Sequence, residues 1–352
     1  MRILYFGDFD PEYSRNKVII QGLREHRFDV NVCPVRVKGF KSFKKYYCLW
    51  KEYWKHNAGC DVIIVGYSDS RWIAPFIKAI SEKPIVWDGF FSIYDSWVFD
   101  RKLVRQRSLK ANWYWFLDWI NLKAADVILS DTNAYIEYLS ETFHVPREKF
   151  IRVLVSTGQD SLELRENQES KNNFLVYFYG YFIPLQGVEY IIEAANLLRN
   201  ESIDFQIIGD GQTHDKVFAR AKALGLDKVS FIPRLSFSEL MTHLRCADVC
   251  LGIFGDTPKA QRVIPNKAYD AIAAGKALIS ADTPAMRELF TDKKDILFCN
   301  VADAQDLAKK ILDLKNDAAL RTKIARGGHV LYEAKATSAK VTIPLAELLK
   351  TL

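Results

Sequence analysis

Short runs of Ile, Val, Leu and Phe alternate along the chain with longer stretches in which apolar residues recur every three or four positions. A short run with no polar alternation suits a strand covered on both faces, and the longer stretches suit the amphipathic helices that cover it. In the first half the pattern predicts strands near Ile3 to Phe6, Asp29 to Cys33, Val62 to Val65, Ile85 to Trp87, Val127 to Leu129 and Ile151 to Leu154. It then lapses: Val155 to Asn173 is polar and without period, which predicts an exposed linker. The second half starts again, with strands predicted near Phe174 to Tyr179, Phe205 to Ile208, Val229 to Ile232, Val249 to Leu251, Ala277 to Ser280 and Ile296 to Phe298.

The helices carry their own signals. Val188, Ile191, Ile192, Ala195 and Leu198 fall on one helical face, and Ser236-x-x-Glu239 is a capping box ahead of Leu240 and Leu244. Two successive sets of strand-helix units predict two doubly wound α/β domains, residues 1–160 and 172–337. Ligands of such sheets bind beyond the carboxyl ends of the strands, here in a central cleft that the two domains are expected to face.

Composition adds limits. The 352 residues are 49% hydrophobic and 26% charged, ordinary for a globular protein of two domains. Six scattered cysteines form no C-x-x-C pair and no histidine stands at zinc-finger spacing, so neither a disulfide framework nor a structural metal is expected. The opening apolar run meets Asp8 too soon for a signal peptide, and no long uncharged apolar stretch follows, which predicts a cytoplasmic location. Net charge is +6 and lies mostly in the first half, where residues 1–165 hold 25 Lys/Arg against 20 Asp/Glu. That excess favours an anionic surface or ligand.

Three segments of the second half suit chemistry. Tyr179 to Tyr190 takes a strand through a turn at Pro184 to a helix opened by Gly187, and a helix N-terminus can hold an anion. Gly209-Asp210-Gly211 directly follows a strand, where glycines let the backbone come close to a bound group. In Arg262 to Lys276, Pro265 suits the first helical position and Gly275 the helix end. Backbone amides around Asn266 to Ala268, with the Lys267 ammonium, suit a diphosphate, and Asp270 one turn on suits a ribose diol. Core packing and the helix dipole account for the same residues without a ligand.

Together with Thr283 to Leu289 and Asp303 to Ala308, these segments resemble the C-terminal domain of the family 4 glycosyltransferases, from about Phe174 to Tyr332. Ala125 to Thr132 is similar to that family's last N-domain strand and helix. The resemblance implies a GT-B fold with two Rossmann-like domains, and a closing segment, residues 338–352, that crosses back to the N-domain. It implies transfer of a sugar from a nucleoside diphosphate, a UDP-sugar foremost, to a hydroxyl of a surface glycan or lipid-linked acceptor, with retention and without metal or cofactor. Asp270 would hold the ribose, Asn266 and Lys267 the diphosphate, Pro233 and Arg234 the base, with Gly187, Gly209, Asp210, Gly211 and Gly7 nearby. The sequence departs from the family where Arg262 replaces an acid, and where Tyr181 and Gln186 replace a basic pair. Arg262 and Lys267, with Lys259, are then expected to supply the positive charge.

On the acceptor side, Asp88 at a strand's carboxyl end is the expected catalytic or orienting group, with Asp95 and Arg101 as further polar residues. Aromatic and basic residues interleave in 36–56 and 101–119, a composition that suits an anionic membrane surface. No nucleic-acid motif accompanies them. Two rival readings remain open on the same architecture: a sugar-nucleotide epimerase and a non-catalytic nucleotide or carbohydrate binder. A dehydrogenase is disfavoured, because no G-x-G-x-x-G follows the first strand.

Overall fold

The computed structural model describes residues 1–35, 43–68, 72–158 and 173–351. The chain divides into two compact units, one of residues 1–98, 102–158 and 336–352, the other of residues 99–101 and 159–335.

The first unit is built on a wholly parallel sheet in the order β2-β1-β3-β4-β5-β6. Its strands are β1 (Arg2–Gly7), β2 (Asp29–Pro34), β3 (Val62–Val65), β4 (Ile85–Asp88), β5 (Val127–Ser130) and β6 (Phe150–Arg152). The helices between them are α1 (Ser14–Glu25), α2 (Phe43–His56), α3 (Ile73–Ile80), α4 (Leu109–Ala124) and α5 (Asn133–Phe143). The apolar run of β1 is buried on both faces for the reason its composition suggests. Ile3 and Tyr5 pack with Ile19 and Leu23 of α1, while Leu4 and Phe6 pack with Leu49 and Tyr53 of α2 and Ile73 and Ile77 of α3. Full burial of each such side chain contributes about 1.5–3 kcal/mol. The sixth strand ends at Arg152, before the predicted Leu154. Residues 95–100 form a π-helical turn that the periodicity did not disclose.

The second unit repeats the plan, again parallel, in the order β12-β11-β10-β7-β8-β9. Its strands are β7 (Phe174–Tyr179), β8 (Ile203–Ile208), β9 (Val229–Ile232), β10 (Val249–Leu251), β11 (Ala277–Ala281) and β12 (Leu297–Cys299). The helices are α6 (Val188–Leu197), α7 (His214–Ala223), α8 (Phe237–Cys246), α9 (Asn266–Ala273), α10 (Pro284–Arg287), α11 (Ala304–Asn316) and α12 (Ala318–Lys335). The capping box forms: Ser236 Oγ accepts from the Glu239 amide, and the Glu239 carboxylate accepts from the Ser236 amide. Pro265 is the N-cap of α9 and not its first helical residue, one position from the expectation. Two doubly wound sheets are thus present, as the alternating pattern predicts.

The closing segment forms two short helices, α13 (Ser338–Val341) and α14 (Ile343–Leu349), within the first unit. Leu345 and Leu349 join the core that α1 covers. All six cysteines are free thiols, and no helix among the described residues is long and apolar enough to cross a membrane.

Candidate functional site

In the second unit the strand order reverses between β7 and β10: the chain runs β7, β8, β9 outward, then returns to lay β10 on the other side of β7. Two loops leaving neighbouring strands in opposite directions open the sheet's carboxyl edge there. After β7, Asp100 pins the turn Pro184–Gln186, its carboxylate accepting from the Leu185 amide at 3.0 Å and from Thr257 Oγ1 at 3.1 Å. The same turn meets the loop after β10, where the Phe254 and Gly255 amides donate to the carbonyls of Gln186 and Leu185. Gly187 is left-handed at φ 64°, and a Cβ there would stand 2.4 Å from the Gly255 nitrogen, so the predicted glycine is required by this backbone crossing.

Next to this floor α9 begins. Its N-terminal end carries the partial positive charge of the helix dipole. Asn266 is half-buried at its first position, and Lys267 is buried. The Lys267 ammonium donates to Gln186 Oε1 at 2.5 Å and lies 3.6 Å from the centre of the Phe178 ring. Among the described residues no carboxylate lies within 4.0 Å of it. Burial pushes this ammonium well below the usual lysine range. Asp270, one turn further, is also buried and accepts a hydrogen bond from the Tyr179 hydroxyl at the end of β7. Burial, then the Asp270 charge, hold that phenol well above its ordinary value. Lys267 and Asp270 therefore both turn toward the end of β7, at the reversal point.

The remaining predicted residues of this unit line the same carboxyl edge. A Cβ at Gly209 would stand 2.0 Å from the Gly180 carbonyl oxygen, and Asp210 accepts from the Phe182 amide through its carbonyl, so the loops after β7 and β8 are knit backbone to backbone. Gly211 is followed by α7, and the Asp210 carboxylate accepts from its amide at 2.7 Å. Pro233 and Arg234 are exposed beyond β9, where the Arg234 guanidinium lies 4.9 Å over the ring of exposed Tyr181. Arg262 is half-buried and Lys259 buried on the turn that precedes α9. Arg101, which clusters with this unit, accepts from Gln212 Nε2 through its carbonyl.

The first unit places its predicted residues differently. Asp88 ends β4 at 2% exposure, and both of its oxygens accept from Arg15 Nε, at 2.9 and 3.0 Å. Arg15 is wholly buried, also donates to the Val153 carbonyl, and lies 5.0 Å over Phe90. Burial pushes the Asp88 carboxyl up, and Arg15 pulls it back. Asp88 is here the anion of an internal ion pair. Gly7 ends β1, with Asp8 beside it paired to Lys45 of α2. Asp95 is buried in the turn that Asp118 organises: the Asp118 carboxylate accepts from Ser92 Oγ, the Ile93 amide and the Tyr94 amide.

Sequence reasoning missed Tyr179, Arg15 and Asp118. Tyr179 reads as one more aromatic of a buried strand, and Arg15 stands 73 positions from the carboxylate it meets. Only Asp118 leaves a trace, an acid within an apolar helix.

Residues 160–331 match the family model for glycosyl transferases group 1. WbjE of Pseudomonas aeruginosa, described as a probable glycosyltransferase, is 31% identical over 147 residues, 40% of this chain and 32% of its own. WcaI of Escherichia coli K12, a glycosyl transferase named for colanic acid biosynthesis, is 30% identical over 129 residues, 36% of this chain and 30% of its own. The matched stretches thus span about a third of these relatives. Among solved structures, Anabaena HepE in complex with UDP-glucose superposes with a TM-score of 0.74 at 15% identity, covering 100% of both chains. The stretch that carries Lys267 and Asp270 matches the group 1 glycosyl transferases, and the chain as a whole has the GT-B fold.

Proposed function

We propose that this chain is a retaining glycosyltransferase that moves a sugar from a nucleoside diphosphate, a UDP-sugar foremost, to a hydroxyl of a surface glycan or lipid-linked acceptor. The observation that carries the reading is the Lys267 ammonium: buried, at a helix N-terminus, at the strand-order reversal, with a neutral amide oxygen as its acceptor and no carboxylate in range. A buried charge without a counterion is costly, and a diphosphate would supply the missing anion. As the anomeric carbon-oxygen bond breaks, the diphosphate gains charge that Lys267 and the N-terminus of α9 stabilise, with Arg262 and Lys259 near it. The acceptor oxygen bonds the same carbon from the same face, and its proton passes to the departing phosphate oxygen. Asp270, oriented by Tyr179, accepts from the ribose hydroxyls, and Arg234 stacked on Tyr181 borders the base. Neither metal nor cofactor takes part. The UDP-glucose held by HepE supports UDP-sugars as the first donors to test, and the name of WcaI supports a glycan acceptor.

The test is titration of the full chain with UDP, GDP, ADP, CMP and dTDP, each with and without magnesium, repeated on Asp270→Ala. Selective binding that is independent of magnesium and at least about tenfold weaker in the variant is expected, since a hydrogen bond to a charged group is worth about 1.5–3 kcal/mol. Binding without turnover of any sugar nucleotide would favour the non-catalytic reading. Product analysis by NMR would report retention or inversion.

The acceptor is proposed to be met at the inner, cytoplasmic face of a membrane. Tyr47, Trp50 and Trp54 are exposed along one stripe of α2, flanked by Lys44 and Lys51, and exposed Leu109 and Trp113 of α4 stand with Lys102, Arg105, Arg107 and Lys110. Residues 36–42 of the predicted basic-aromatic stretch lie outside the described residues. Such rings favour the interfacial zone and such cations favour anionic headgroups. Flotation with vesicles of anionic phospholipid, and its loss in Trp50→Ser/Trp54→Ser, is the expected outcome; protein left in solution would remove the membrane from the reading.

A further inference from the structure

Cys33 lies near the end of β2, an edge strand, and α2 packs beside it. Glu52 and His56 are four residues apart on α2, a spacing that puts both side chains on one helical face. The fold brings the three together: one ligand atom from each of Cys33, Glu52 and His56 lies within 4.8 Å of the other two. His56 Nε2 and Glu52 Oε2 are 3.6 Å apart. Zinc with sulfur, nitrogen and oxygen ligands at about 2.0–2.3 Å sets neighbouring ligand atoms about 3.3–3.7 Å apart. The imidazole–carboxylate pair is thus spaced close to one edge of such a tetrahedron, and the Cys33 thiol stands within 4.8 Å of a ligand atom of each.

The surroundings suit a metal. Cys33 is buried, so one ligand is fixed by the sheet, while Glu52 and His56 are partly exposed and leave a side open for entry and for a water. Lys55 Nζ lies 2.6 Å from Glu52 Oε1, which leaves Oε2 toward His56. A carboxylate can bind a metal through one oxygen while its other oxygen keeps a hydrogen-bond partner. A thiolate with an imidazole and a single carboxylate favours zinc over the hard cations magnesium and calcium. No sequence spacing announces the set, because a strand residue and two helix residues meet only in the fold.

We propose that Cys33, Glu52 and His56 form a zinc-binding site, with water as fourth ligand, that clips α2 to the edge strand β2. As the sulfur–zinc bond forms, the thiol proton leaves to solvent. The site is separate from Lys267 and Asp270 and does not depend on the proposed transfer reaction.

The full chain, stripped with a chelator and dialysed, is titrated with cobalt(II) and then zinc(II). A thiolate-to-cobalt charge-transfer band that saturates at one equivalent and is displaced by zinc is expected, together with its loss in Cys33→Ser. His56→Ala, at a partly exposed position where folding is not at stake, should weaken zinc binding at least about tenfold and abolish the rise in thermal midpoint that zinc gives the parent. The proposal is overturned by absence of the band, by a band undiminished in Cys33→Ser, which would assign it to another thiol, or by zinc affinity unchanged in His56→Ala. In each of those cases Glu52, Lys55 and His56 are only a solvated charge cluster on a helix.

Discussion

Arg15 and Lys267 are both basic side chains folded out of water, and they are held in opposite ways. Arg15 faces a buried carboxylate, gives that anion two contacts through Nε and gives the Val153 carbonyl another. Lys267 faces an amide oxygen and the face of a phenylalanine. The first charge is answered inside its own unit and links β4 to α1; the second is left for something else to answer. A buried charge paired with a carboxylate of its own unit is part of the architecture, and one short of a counterion marks a place where an anion is due.

The largest expected effect breaks the first half of that comparison. Arg15→Met leaves Asp88 buried without its cation, which costs about 3–5 kcal/mol, whereas replacing both partners by apolar groups is commonly neutral or better. Denaturant midpoints should fall steeply for Arg15→Met and recover most of the way in Arg15→Met/Asp88→Leu. A loss under about 1 kcal/mol in the single variant would mean that the pair is not structural, and would favour Asp88 as an acceptor-side group.

Asp118 is an intermediate case that sharpens the comparison, an anion held by three neutral donors. Burial pushes its carboxyl up to about 6, against those hydrogen bonds. The native state therefore holds the Asp118 proton more tightly than the unfolded chain. Its stabilising contribution is complete below about pH 4 and is lost as pH rises through about 6. Relative to Asp118→Asn, the parent should lose up to about 3 kcal/mol between pH 4 and pH 7. Unfolding curves of both proteins at pH 4, 5.5 and 7 test this, and parallel behaviour across the range would deny the raised carboxyl.

How far these cases were legible in the sequence follows from how local each signal is. The clearest strands were readable because four or more apolar residues in succession, as in Val62 to Val65, suit little else than a doubly covered strand. The helix that carries Lys267 and Asp270 was readable from its punctuation by Pro265 and Gly275, with the cap off by one. What Lys267 touches was not, because Gln186 stands 81 positions away and is set in place by a turn that Asp100 holds. Asp88 shows the same limit from the other side. Its place at a strand end was visible, but the arginine that takes both of its oxygens lies on another element, and open and paired carboxylates look alike in a sequence. The cluster of Cys33, Glu52 and His56 likewise has no spacing of its own.

The smallest expected effect in free energy tests the second half of the comparison most directly. Removing the Lys267 charge by Lys267→Met should not lower the denaturant midpoint, in contrast to Arg15→Met, because a buried cation without a counterion contributes little to the folded state. Nucleotide affinity should fall about 10–100-fold, the loss of one charge-assisted hydrogen bond of about 1.5–3 kcal/mol. The pH behaviour has a definite sign. With the native ammonium below its ordinary value, the unfolded chain binds more protons over the interval between the two, so this group adds stability as pH rises through that interval. A diphosphate reverses the preference by favouring the charged form, so binding takes up protons and affinity falls as pH rises through the lowered value. Calorimetry of nucleotide binding in two buffers of different ionisation enthalpy should detect that uptake in the parent and not in Lys267→Met. A variant that binds nucleotide as the parent does but unfolds as readily as Arg15→Met would make Lys267 a second architectural charge, held by Gln186 and Phe178 alone.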